Sequence, residues 1–105
     1  MKLEIHTFDP ELINALMGKQ PVLEGEVLEL GSDACLIYVR TFSGRVKHFP
    51  YILHFEVVLL SEVGASSVSA WLFQHVGSRN VERVLVDYQD TKLDMGRMIG
   101  LLCQR

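Results

Sequence analysis

Residues 51–73, YILHFEVVLLSEVGASSVSAWLF, change hydrophobic period within a few positions. Up to Leu60 apolar side chains recur at every second residue, the period of a strand; beyond the glycine, Val68, Trp71, Leu72 and Val76 recur at three and four, the period of a helix. A strand therefore runs through a short link, 62–65, into a helix that Ser66 or Ser67 caps and Gly77 ends. The strand is expected to extend over about 45–61. Its odd positions Phe49, Tyr51, Leu53, Phe55, Val57 and Leu59 form an apolar face. Its even positions His48, Ile52, His54, Glu56, Val58 and Leu60 form a mixed one. Pro50 cannot donate a ladder hydrogen bond, so the strand is bent or unpaired there.

On the N-terminal side, 22–30 and 34–42 both alternate, and Gly31-Ser32-Asp33 supplies turn residues between them. Ser43-Gly44 then offers a tight turn into the long strand. Asp9-Pro10-Glu11 marks a helix start, with Leu12, Ile13 and Leu16 on one face of 9–17 and Gly18 as its stop. Residues 2–8 have the composition of a short strand. On the C-terminal side, VERVLVDYQ (81–89) is a strand with Val84, Val86 and Tyr88 on one side and Arg83 and Asp87 on the other, after a turn at 78–80. The tail fits two periods. Met95, Met98, Ile99 and Leu102 suit a helix with Thr91 and Asp94 as a capping box, but Gly96 and Gly100 penalise it, and alternation of Leu93, Met95, Ile99 and Leu101 favours a strand. The expected fold is a single α+β domain over 1–105: a mostly antiparallel mixed sheet of about five or six strands with two helices packed on one face.

Apolar residues make up 49% of the 105 positions and charged ones 22%, which suits one folded core and excludes a disordered chain. A net charge of −3 argues against nucleic acid as a partner, because non-specific phosphate affinity needs clustered Lys and Arg. No apolar run reaches membrane-span or signal-peptide length, so a cytoplasmic protein with no membrane partner is expected. Cys35 and Cys103 are 68 positions apart without CxxC spacing and read as buried thiols in a reducing compartment.

No phosphate loop, HExxH, GxSxG or paired-cysteine spacing occurs, so no cofactor and no catalytic residue is assigned. His48, His54 and Glu56 share one strand face and are the only metal-ligand candidates, but Ile52, Val58 and Leu60 make that face largely apolar, which favours an interface. His75 falls on the helix's apolar stripe; His6 has only Asp9 as an evident acid; Cys35 lies in an apolar strand without a base. Trp71 reads as core or as an interface anchor.

LHFEVVLLSEVGASSVSAWL, with its LHxEV core and Ala70-Trp71-Leu72, resembles the strand-to-helix unit of the tail terminator and tail completion proteins of long-tailed phages. Leu93-Asp94-Met95 through Arg105 resembles the closing strand of that family, and the likeness spans about 45–105. It implies a non-enzymatic assembly protein, virion-associated, that caps a tail tube as a homo-oligomeric ring. Ring closure needs one patch to meet a different patch on the neighbour. The candidate interface is His48, Tyr51, Ile52, His54, Glu56, Val58, Leu60 and Trp71. The alternatives are a monomeric or dimeric ligand-binding or immunity-type module of a mobile element, which leaves a small-molecule partner open, and an enzyme or metalloprotein using His48, His54 and Glu56.

Overall fold

The computed structural model describes residues 1–43, 49–76 and 81–104. Among the described residues six strands, β1 (Lys2–Thr7), β2 (Val27–Leu30), β3 (Ala34–Phe42), β4 (Tyr51–Leu59), β5 (Val81–Val86) and β6 (Gln89–Asp90), form one sheet in the order β2-β3-β4-β1-β5-β6. Every pairing is antiparallel. The helices among the described residues are α1 (Leu12–Met17), α2 (Gly64–Val76) and α3 (Met95–Cys103), which complete the expected α+β class. Among the described residues no helix is long and apolar enough to cross a membrane.

Alternation on β4 sets the layers. Leu53, Phe55 and Val57 are buried, and they lie level with Ile5 and Leu3 on β1 and with Leu36 and Tyr38 on β3. Val84 and Val86 on β5 continue the row. Val68, Trp71 and Leu72 of α2 and Met98 and Leu102 of α3 complete the same buried cluster. Each aliphatic or aromatic side chain buried this way contributes about 1.5–3 kcal/mol. Phe55 is central: its ring is tilted against Tyr38 at 5.7 Å and edge-on to Trp71 at 6.1 Å. The Trp71 indole N–H donates to the Leu16 carbonyl, 3.3 Å, and ties α2 to the end of α1.

The link from β4 to α2 is held by the β2–β3 turn. The Asp33 carbonyl accepts from the Leu60 and Ser61 N–H groups at 2.8 and 3.2 Å, and its carboxylate accepts the Ser61 hydroxyl at 2.7 Å. Gly64 packs into this junction, where a Cβ would stand 2.5 Å from the Asp33 carbonyl oxygen and 3.2 Å from the Leu59 side chain. The helix therefore starts at Gly64, two residues before the expected Ser66 cap, because close approach to Asp33 fixes its first turn.

Several expectations are corrected. The tail is a helix: Asp94, extended at φ −109, caps it by accepting the Arg97 N–H at 2.8 Å, and Met98, Leu101 and Leu102 are buried at helical spacing. Gly96 and Gly100 lie on its exposed side. Thr91 is not part of a capping box; it is buried, with its hydroxyl on the Val84 carbonyl. The first helix starts at Leu12, three residues after Asp9, whose carboxylate instead accepts the Glu11 N–H in the preceding turn. β2 starts at Val27, five residues later than expected. Strand 81–89 breaks at Asp87 and Tyr88, whose φ values of 46 and 68 make a two-residue hairpin turn to β6, so Tyr88 is exposed. Phe49 is exposed ahead of β4, and Pro50 precedes the first paired residue, Tyr51, as its missing N–H requires. Neither cysteine is buried: Cys35 is half-buried on the face opposite the helices and Cys103 is exposed. The expected turns at 43–44 and 78–80, the Gly77 helix stop and strand residues 45–48 lie wholly or partly outside the described residues.

Gly64→Ala should cost about 2–3 kcal/mol in urea unfolding, because the added methyl meets backbone at Asp33. Gly100→Ala, where nothing lies within 4 Å of the new Cβ, should gain about 1 kcal/mol. Equal effects of the two changes would contradict this packing.

Candidate functional site

The face of the sheet away from the core carries no fully buried side chain among the described residues. Strand register arranges it in rows. Phe42, Ile52, His6 and Arg83 form the first; Arg40, His54, Glu4 and Leu85 the second. Val27, Ile37, Glu56 and Lys2 form the third, and Glu29, Cys35 and Val58 the fourth. A bulge at Val39 in β3 moves Arg40 and Phe42 onto this face, although they have the parity of core residues Leu36 and Tyr38.

Of the expected interface residues, Ile52, His54, Glu56 and Val58 share this face, as the alternation requires. Leu60 follows beyond the strand end and is exposed. Tyr51 is half-buried on the helix-covered side. Trp71 is buried in the core against Phe55 and has no surface to offer a partner. His48 lies outside the described residues. Alternation of Lys2, Glu4 and His6 against Leu3, Ile5 and Thr7 could have placed β1 on the same face. No sequence signal reveals the bulge that adds Arg40 and Phe42.

The polar groups of the face pair across strands. The Arg40 guanidinium lies over the Phe42 ring, 5.7 Å to its centroid, and the Phe42 and His54 rings meet edge to face at 4.8 Å. Lys2 Nζ donates to the Tyr88 hydroxyl at 2.9 Å and lies 5.3 Å from that ring's centroid, bracing the β5–β6 turn from β1. His75, on α2, is half-buried and edge-on to Trp71 at 6.4 Å. Among the described residues no three His, Cys, Asp or Glu side chains gather as a metal site.

The partner of His6 is Glu4, not Asp9: Nε2 lies 3.7 Å from the Glu4 carboxylate, too far for a hydrogen bond. That nitrogen is buried and has no hydrogen-bond partner. Burial is the main cause that pushes the His6 pKa down; Glu4 opposes it, and Arg83 and His54 add to it. The folded chain thus holds His6 neutral. Below about pH 6.5 the unfolded chain takes up a proton that folded His6 refuses until lower pH, so this stability is complete above that value and is lost as pH falls from there through the lower folded pKa. His6→Gln should flatten the fall in urea stability between about pH 7 and 5. Identical pH slopes for the two chains would rule the burial effect out.

No family model, curated protein or solved structure gives a significant match to the chain. The functional reading rests on this surface.

Proposed function

We propose that the chain is a non-enzymatic assembly protein that seats its uncovered sheet face on a second copy of itself. The observation that carries this is the exposure of apolar side chains where a solvated sheet face would be polar: Val58 is 37% exposed at one end of the face, Leu60 59% exposed just beyond the strand, and Val27 is exposed two strands away on β2. Charge is distributed along the same face. Arg83 stands in the first row and Glu29 in the fourth, while Arg40 shares the second with Glu4 and Glu56, paired with the N-terminal ammonium at 3.1 Å, shares the third with Lys2. Head-to-tail contact would bring Arg83 toward Glu29 of the neighbour and put the apolar end against a different patch, the arrangement that closes into a ring. A ring of copies is also what the resemblance of 45–105 to the tail terminator family implies.

Sedimentation of the native chain over a wide concentration range should show reversible assembly. Val58→Glu with Leu60→Glu should weaken it by at least about tenfold while leaving circular dichroism unchanged, since both side chains are exposed in the single copy. A native chain that stays monomeric throughout would contradict self-assembly.

A further inference from the structure

At the opposite end of the uncovered face, where β1 and β3 finish and β4 and β5 begin, a concavity of about 670 Å³ opens. His6, Phe8, Phe42, Phe49, Ile52 and Arg83 line it, with Glu82 on the same rim. Phe8, Phe42 and Phe49 are 39%, 49% and 65% exposed, three aromatic residues partly in water around one hollow. Such a hollow, apolar walls with few polar groups, is the usual form of a small-ligand site.

The polar groups decide the ligand. The His6 Nε2 is buried and turned to Glu4, so that nitrogen is not presented to the hollow. Arg83, opposite His6 in the β1–β5 ladder, is exposed and makes no ion pair with a described residue. Glu82 is the residue that the β5 bulge leaves without a ladder partner, and it sets a carboxylate on the same rim. The Arg83 and Glu82 charges offset each other, so a bare inorganic anion gains little there, whereas an aromatic body adds stacking area on the phenylalanines. A guanidinium also matches a carboxylate, sulfonate or phosphate group with paired N–H donors.

We propose that this concavity binds a small planar aromatic anion, its ring among Phe8, Phe42 and Phe49 and its anionic group on the Arg83 guanidinium. The hollow lies at the Phe42 end of the uncovered face, away from Val58 and Leu60, and head-to-tail assembly would cover it, so it is tested on the monomeric chain.

The probe is 8-anilinonaphthalene-1-sulfonate, an aromatic sulfonate, titrated into the full chain and followed by its emission. One saturable site per chain is expected. Arg83→Gln should weaken it about tenfold, the loss of one charge-assisted contact. Phe49→Ala, which lies outside any strand, should weaken it too. The uncharged analogue N-phenyl-1-naphthylamine should be insensitive to Arg83→Gln, and millimolar sulfate should not compete. At a concentration where the chain is monomeric, Val58→Glu with Leu60→Glu should leave dye binding unchanged, which distinguishes this site from the apolar end of the face. Near-ultraviolet circular dichroism of each variant checks that the dye is not reporting loosened packing. Dye affinity that survives both Arg83→Gln and Phe49→Ala, or is lost with Val58→Glu and Leu60→Glu, overturns the proposal. Equal loss for the charged and uncharged dyes on Arg83→Gln overturns the anionic assignment.

Discussion

The burial of Leu53, Phe55 and Val57 along one face of β4 is the constraint on which the other elements depend. Because the strand period is two, committing those residues to the helix-covered side forces Ile52, His54, Glu56 and Val58 to the other. β4 is paired on both sides, with β3 and with β1, so its register is passed across most of the sheet. A slip of one residue would drive His54 and Glu56 into the core and expose Phe55, with an unpaired charge among apolar side chains. The uncovered face thus follows directly from how the core is filled.

The chain leaves β4 for α2 through Asp33, whose carbonyl and carboxylate together hold Leu60 and Ser61. That junction binds a sheet edge to the start of the covering helix, and Gly64 lets the two backbones meet without a side chain between them. α2 then reaches α1 through the Trp71 indole and packs beside α3. All of this lies on one side of the sheet. The opposite side holds cross-strand pairs, His54 with Phe42 and Lys2 with Tyr88, that organise a surface without covering it.

The strand-to-helix unit was legible because its two periods are long and uninterrupted, and so was the β2–β3 hairpin, whose Gly31 has the positive φ that its turn needs. The α+β class followed from these. What was hidden has physical causes. The turn at Asp87-Tyr88 places two non-glycine residues in the left-handed region, and the Asp87 carboxylate accepting the Lys2 N–H at 2.8 Å supports it through a contact 85 residues away in sequence. The closing helix was obscured by Gly96 and Gly100, which cost helical propensity but face solvent, Gly96 beside the capping Asp94 carboxylate and Gly100 in open space. Lys92 and Leu93, at φ 55 and 53, turn the chain just before it, so the apparent alternation through Leu93 and Met95 crosses a break in the backbone. For the candidate site, β4 alternation gave Ile52, His54, Glu56 and Val58, but Trp71 reads alike as anchor or core until its neighbours are known. Phe42 and Arg40 depend on a bulge that no local pattern encodes.

A sheet covered on one side only is the central claim, and its consequence for a single copy is an asymmetry between neighbouring residues of one strand. The most direct measurement is relaxation of methyl resonances by a soluble gadolinium chelate, at a concentration where the chain is monomeric. Ile37, Ile52 and Val58 methyls should relax several-fold faster than those of Leu36, Leu53 and Val57. Equal protection of both sets would mean that the second face is covered within one copy and would contradict the account.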